Sequence, residues 1–272
     1  MFKSPLVVIK VGGKIVEEDA TLQCLLDDFA AIPGYKVLVH GGGRSATKMA
    51  AKLGIETQMV GGRRITDAAM LQVVTMVYGG LVNKNLVACL QAKGVNALGL
   101  TGADMDVIRS HKRPLKSVKM DDGTTQMVDF GYVGDVDYAD GARFSSLLDS
   151  GITPVVAPLT HDGEGNMLNT NADTMASETA KAMAALYDVT LVFAFEKAGV
   201  LASPDDEASV ISKITADDFA RLKAGGIISG GMLPKIENAL AAVDAGVSRV
   251  IITSATAIDG HHGTIIVALV MM

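Results

Sequence analysis

Six short apolar runs recur along this chain: LVVIKV, KVLVHG, NALGLT, ITPVVAPL, VTLVFAF and SRVIITS. Stretches with helical spacing, such as TLQCLLDDFAA and ALAAVDAG, lie between several of them. A short run that is rich in β-branched residues and apolar at nearly every position reads as a strand covered on both faces. Such strands alternating with helices predict an α/β fold around a mostly parallel sheet. Ligand loops in that architecture sit at the carboxyl ends of the strands. The polar, turn-rich segment from Val107 to Val136 (HKRPLKS, MDDGTTQ) breaks the alternation and predicts small hairpins set on the main sheet. The alternation resumes near Asn171 and runs to the end. With no internal repeat and no low-complexity linker, the prediction is one continuous unit, residues 1–272, with two functional halves.

Composition narrows the function classes. At 49% hydrophobic and 20% charged, the 272-residue chain is globular and long enough for a substantial core. A net charge of −6 excludes a nucleic-acid binder that relies on a global basic field. No Trp and 4% aromatics leave little for base stacking. Cys24 and Cys89 are far apart in helical-looking segments, which predicts buried small hydrophobes rather than a disulfide or a metal pair. The first residues carry no charged-then-apolar leader, and no apolar run reaches spanning length, so a cytoplasmic protein without a membrane partner is expected.

Two of the runs end in glycines: Gly12–Gly13 after Lys10, and Gly41–Gly43 after His40. Glycine in a loop costs chain entropy, so three in a row need a reason. One reason is a tight strand-to-helix turn. The other is close approach of an anion to backbone N–H groups at a helix start. Neither loop matches the Walker pattern or G-x-G-x-x-G. Lys10, at a strand end, is costly to desolvate and calls for an anion.

Three further constellations stand out. In GGRRITD, Arg64 suits a bidentate grip on a carboxylate, or is a solvated surface residue. In NMLNTNADTMA, Asn169 and Asn171 sit two apart and Asp173 opens an alanine-rich helix. Those residues either face one ligand or cap that helix, and both can hold. In GGMLPKIENA, Pro234 fits a first helical turn, where Lys235 opposes the helix dipole unless an anion faces it.

In their order and spacing, IKVGGK, VHGGG, GRRITD, Asn83–Lys84, GLTGAD, GYVGDV, TPVVAPL, N-x-N-A-D at Asn169–Asp173 and GGMLPK give a chain that resembles the amino-acid kinase family over nearly its whole length. N-x-N-A-D with G-G-M-x-P-K points to its acylglutamate branch. The resemblance implies a three-layer αβα sandwich with a mainly parallel central sheet, residues 1–168 forming the acylglutamate half and 169–272 the nucleotide half. It implies phosphorylation of the γ-carboxylate of N-acetylglutamate by ATP, with Mg²⁺ carried by the nucleotide and no protein metal site. N-succinylglutamate or another acylglutamate is the alternative acceptor, and a non-catalytic metabolite sensor is the alternative of another class.

The same resemblance assigns roles. Lys10 and Lys235 bracket the transferring group, and Asp173 orients them. Gly12, Gly13, Gly42 and Gly43 offer N–H groups. Arg64 and Asn169 hold the acceptor. Glu196 and Gly199, with Ile227, Ile228 and Ser229, line the nucleotide site. Three departures from the family pattern mark this chain. Phe195-Glu196-Lys197-Ala198-Gly199 replaces T/S-D-V-x-G and bears on purine and ribose contacts. Met105 and Arg44–Ser45 differ on what is expected to be the acceptor side, and an extra arginine there favours an extra carboxylate. A homodimer is expected, paired through MLQVVTMVYGGLVNKNLVACL. Arginine-sensitive relatives carry an extra N-terminal helix for which this chain has no room before Lys10, so insensitivity to arginine is expected with it.

Overall fold

A computed structural model describes the chain apart from residues 1–2, 121–122, 204, 229–231, 261 and 269–272. Its main sheet has eight strands in the order Lys213–Ile214, Thr264–Ile266, Arg249–Ser254, Asp188–Phe195, Pro5–Val11, Tyr35–His40, Thr153–Val156, Ala97–Leu100. All neighbours run parallel except Arg249–Ser254 and Thr264–Ile266.

Side-chain alternation sends each strand into two cores. Leu6 and Val8 of the central strand join a cluster with Phe144, Met175, Ala180, Ile236 and Ala239, from the helices Gly141–Asp149, Ala172–Ala184 and Met232–Asp244. Ile9 and Val11 join Leu25, Phe29, Ala46, Val77 and Leu86, from helices on the other face. Both faces are therefore apolar and covered, which makes the three layers. Each fully buried side chain such as Phe29 or Leu25 contributes roughly 1.5–3 kcal/mol against the entropy of ordering it.

A second sheet, in the order Met167–Asn169, Leu159–His161, Ile108–Lys112, Gly134–Ala139, carries the hairpin Lys116–Lys119/Thr125–Val128. The turn-rich segment thus forms strands of a separate small sheet together with a hairpin. A shorter hairpin, Met59–Val60/Arg63–Arg64, turns at Gly61 and Gly62, whose φ angles are +54° and +73°. Two successive positive φ values are what a two-residue primed turn needs, and glycine adopts them without strain.

Two sequence expectations need correction. Helix Ala68–Ala92 is long and apolar enough by length and composition to cross a membrane. Gln72, Thr75 and Asn83–Asn85 break its apolar run in the sequence, and in the fold Met70, Val73, Val77, Val82, Leu86 and Leu90 are buried in the core. Cys24 is exposed and Cys89 only half-buried, because the inward face of helix Asp19–Ala31 is taken by Leu22, Leu25, Leu26 and Phe29.

Candidate active site

Val11 ends the central strand beside His40 on one neighbour and Ala194 on the other. Three loops therefore leave the sheet side by side: Gly12–Gly13, Gly41–Gly43 and the segment after Phe195. From the central strand the chain moves to Tyr35–His40 on one side, and from Asp188–Phe195 it moves to Lys213–Ile214 and then Arg249–Ser254 on the other. A crevice opens where strand order reverses in this way.

The glycine triplet has two different reasons. A Cβ on Gly41 would stand 2.9 Å from the Gly13 nitrogen, and one on Gly42 2.7 Å from the Tyr78 ring. Those two glycines are required by the protein's own packing. A Cβ on Gly43 would meet nothing closer than Arg64 Nη2 at 3.8 Å, and Gly43 borders the two cavities described below. The Tyr78 ring lies in a π-helical stretch, Thr75–Val82, inside the long helix. Such bulges concentrate at functional sites.

His40 fixes the loop from beneath. It is fully buried, and burial pushes its imidazole down to about 4, so the ring is neutral at pH 7. A carbonyl can only accept, so Nδ1–H donates to Gly41 O at 2.8 Å. Nε2 is then left to accept from the Asn83 amide at 3.1 Å, and that amide also donates to Val155 O at 2.9 Å.

Lys10 follows Leu6 and Val8 on one face of its strand, and helix Ala172–Ala184 covers that face. The Asn171 side chain caps this helix, accepting from the Asp173 and Thr174 N–H groups. Asp173, in the first turn, then reaches Lys10 Nζ with its carboxylate at 2.7 Å. Both capping and ligand-facing readings of the N-x-N-A-D motif thus find a residue. Lys235 comes from helix Met232–Asp244, and its Nζ stands 3.4 Å from the centre of the Phe195 ring. Lys10 Nζ lies 5.3 Å from the same ring. Burial holds the Lys235 ammonium below the ordinary lysine range. Asp173 and Glu196 oppose that shift, and the charge on Lys10 adds to it.

Around these lysines is a cavity of about 460 Å³ lined by Gly12, Gly13, Lys14, Arg44, Glu196 and Gly199 as well. Glu196 accepts from Lys14 at 2.5 Å, which ties two of the three loops together. An adjoining, mostly apolar cavity of about 210 Å³ is lined by Lys197, Gly199, Val200, Leu201, Ile227, Ile228 and Met232. Ser229 lies outside the described residues. On the other side of Gly43 is a cavity of about 240 Å³ lined by Gly41–Gly43, Arg63, Arg64, Tyr78, Arg113, Asn169 and Asn171. Arg64 donates there to Gly43 O at 2.8 Å and to Thr47 Oγ1 at 2.9 Å, and has no carboxylate partner among the described residues. Asn169 donates to Thr66 Oγ1 at 2.9 Å.

The structure thus brings Lys10, Asp173 and Lys235 together, and sorts the remaining described candidates onto the cavities beside them. It moves two residues that the sequence reading set on the acceptor side. Arg44 lines the larger, lysine-rich cavity. Met105 lines neither and is exposed, its carbonyl accepting from Arg143 at 2.6 Å. Four contributors were missed: Phe195 beneath the lysines, His40 beneath the loop, and Tyr78 and Arg113 in the smaller cavity. His40 had one usable signal, a polar residue at the buried end of an apolar run.

The model of the amino acid kinase family matches residues 5–254. Acetylglutamate kinase of Bacteroides thetaiotaomicron is 64% identical over 262 residues, 96% of this chain and 98% of that protein. Acetylglutamate kinase of Phocaeicola vulgatus is 63% identical over 264 residues, 97% of this chain and 99% of that protein. Among solved structures, N-acetylglutamate synthase from Neisseria gonorrhoeae, complexed with coenzyme A and N-acetylglutamate, shares the fold with a TM-score of 0.76 at 24% identity. The match covers 98% of this chain and 60% of that one.

Proposed function

The chain belongs to the amino acid kinase family, and we infer that it phosphorylates the γ-carboxylate of N-acetylglutamate from ATP, a step of arginine biosynthesis. The observation that carries the reading is the pair of lysines over one aromatic ring, one of them braced by Asp173, beside the point where two cavities meet at Gly43. The larger cavity, with Lys14, Arg44 and the Gly12–Gly13 backbone, takes the ATP phosphates, and the apolar recess at Ile227–Ile228 takes the base. The smaller cavity takes the acceptor, with Arg64 on its α-carboxylate. Residues 1–168 supply most of the acceptor side and 169–272 most of the nucleotide side, each borrowing from the other at Asn169–Ala172 and at Lys10–Ile15 and Gly43–Arg44.

A carboxylate nucleophile is already ionised at pH 7, so the site needs no general base. The acceptor oxygen attacks the γ-phosphorus, the bond to the β-phosphate oxygen breaks, and an acyl phosphate and ADP result. The barrier lies in bringing two anions together, and fixed cations lower it. Lys10 and Lys235 supply that charge, and Asp173 offsets the repulsion between them. Among the described residues no three His, Cys, Asp or Glu side chains gather as a metal site, and Asp173 and Glu196 are each engaged by a lysine. Mg²⁺ carried on the ATP phosphates would add charge neutralisation there. The sensor alternative has no use for such a clamp and is set aside.

The enzyme is further proposed to be a cytoplasmic homodimer, paired through the outer face of helix Ala68–Ala92, where Met76 and Leu81 are exposed. Light scattering tests the dimer, and a monomer overturns it. The activity is tested by trapping the acyl phosphate with hydroxylamine. ATP-dependent hydroxamate from N-acetylglutamate, with little from free glutamate, is expected. No hydroxamate from any acylglutamate overturns the reading.

A further inference from the structure

We propose that Arg63 makes the acceptor cavity a site for N-acylglutamates whose acyl chain itself ends in a carboxylate, a proposal that rests on the kinase reading above. The observation is a mismatch of charge. Three arginines line this cavity, Arg63, Arg64 and Arg113, and none of its lining residues is Asp or Glu. Arg113 is matched from outside the cavity, where Asp135 accepts from its Nε and Nη2 at 2.6–3.1 Å. Arg64 is held by a carbonyl and hydroxyls, which leaves its charge for one carboxylate of the acceptor. The Arg63 side chain makes no hydrogen bond or ion pair among the described residues; Asp135, already taken by Arg113, acts on it only through space.

N-Acetylglutamate brings only two carboxylates. The γ-carboxylate must face the lysines to react, and the α-carboxylate suffices for Arg64. Arg63 would be left beside the acceptor with no carboxylate in contact, since Asp135 is taken by Arg113.

The hairpin geometry keeps the two arginines from sharing one anion. Arg63 and Arg64 are successive strand residues, paired with Val60 and Met59, and successive side chains point to opposite faces. Arg64 turns to Gly43 and Thr47, while Arg63 has Arg113 and Asp135 as its nearest charged groups. Loss of hydration and the neighbouring Arg113 hold the Arg63 guanidinium below its ordinary range, the condition of a cation that gains from an incoming anion. Arg63 also sits at the cavity mouth, exposed, on a turn of two glycines. An acyl chain leaving the amide nitrogen toward that mouth meets it there. The extra arginine that the sequence reading sought at Arg44 is thus Arg63.

The test compares N-succinylglutamate with N-butyrylglutamate, which has the same number of acyl carbons and no terminal charge, with N-acetylglutamate as reference. The expected result is a kcat/KM for the succinyl compound at least about 10-fold above the butyryl compound, carried by KM, from one charge-assisted contact. In Arg63→Gln that ratio is expected to fall to within about 2-fold. Equal use of the two compounds by the unaltered enzyme overturns the proposal while leaving the kinase reading intact. A preference that survives Arg63→Gln also overturns it, because the contact then lies elsewhere. Failure to phosphorylate all three acylglutamates overturns the kinase reading itself.

Discussion

The two cavities that meet at Gly43 are both cationic, but they hold their cations in opposite ways. In the acceptor cavity Arg64 is fastened by neutral partners, Gly43 O and Thr47 Oγ1, so its full charge and its planar fork are aimed at a ligand. In the nucleotide cavity Arg44 stands on the wall, and the cations gathered over Phe195 are ammonium groups. Lys10 is braced by Asp173, and Lys235 rests on an aromatic face. A guanidinium stays charged whatever its surroundings and suits recognition of a carboxylate that does not change during the reaction. An ammonium is a compact point charge and suits a phosphoryl group whose charge redistributes as it moves. On the proposed function, one cavity holds and the other reacts.

That contrast predicts different kinetic signatures. The largest effect is expected from the lysines. Lys10→Met and Lys235→Met should each fold and lose about 100-fold to 1000-fold in kcat, as removal of a contact made mainly in the transition state does. Thermal melting confirms folding, and single-turnover rates read the chemistry. Near-normal kcat in either variant would remove that lysine from the mechanism and erase the distinction between the cavities.

A second expected effect concerns the support that both cavities share. The folded value of His40 is about 4 against an ordinary 6.5, so between these values the unfolded chain binds a proton that the native ring refuses. Stability should therefore fall as pH drops from about 6.5 to about 4, by up to about 3 kcal/mol from this group alone. Glu17 and Asp135 are held below their ordinary values, so their stabilisation is lost only nearer the carboxylate range. Urea midpoints between pH 7 and 5 isolate the imidazole. A flat profile in that window contradicts a neutral buried ring. His40→Asn should lose the slope and, with the Gly41 carbonyl released, weaken both substrates together.

Next in size is Arg64→Ala. Holding a carboxylate that stays a carboxylate is uniform binding, so acceptor KM should rise with kcat little changed, by about 1.5–3 kcal/mol in kcat/KM. A fall in kcat matching the fall in kcat/KM would place Arg64 among the reacting cations. An unchanged KM would return it to the solvated surface.

How much of this was legible in the sequence follows from which interactions are local. Strand runs and their glycine ends are local, and they predicted the sheet and its loops. Asn171 and Asp173 were legible because capping and first-turn charge are properties of a helix start. The spacing of motifs, through the family resemblance, paired Lys10 with Asp173 across 163 positions; no local pattern does that. What stayed hidden depends on long-range packing. That Gly42 faces the Tyr78 ring follows from a π-helical stretch with no periodicity signal of its own. Arg44 was misplaced because helix Gly43–Lys52 begins between the two cavities, and one residue of helix rotation decides which it faces. Phe195 was read only as a departure in the nucleotide loop, because nothing local shows that two lysines from distant segments stand over its ring.

Phe195 supports the smallest predicted effect and the one most specific to this chain. Its ring replaces the small hydroxyl residue of the family pattern, and it ends the strand beside the crevice. A lysine over an aromatic face gains roughly 0.5–2 kcal/mol, more where water is excluded. At 3.4 Å from the ring centre, the Lys235 ammonium takes most of that gain, and the burial that depresses its proton affinity makes the contact stronger. Phe195→Leu keeps an apolar floor and removes the ring's charge distribution. It should lower kcat by about 5-fold, roughly 1 kcal/mol, with acceptor KM unmoved. Phe195→Tyr, which keeps the ring, should stay within about 2-fold. If leucine matches phenylalanine, the ring is only a floor, and Lys235 is positioned by its helix and by Asp173. If the acceptor KM moves instead of kcat, the ring belongs to the holding cavity.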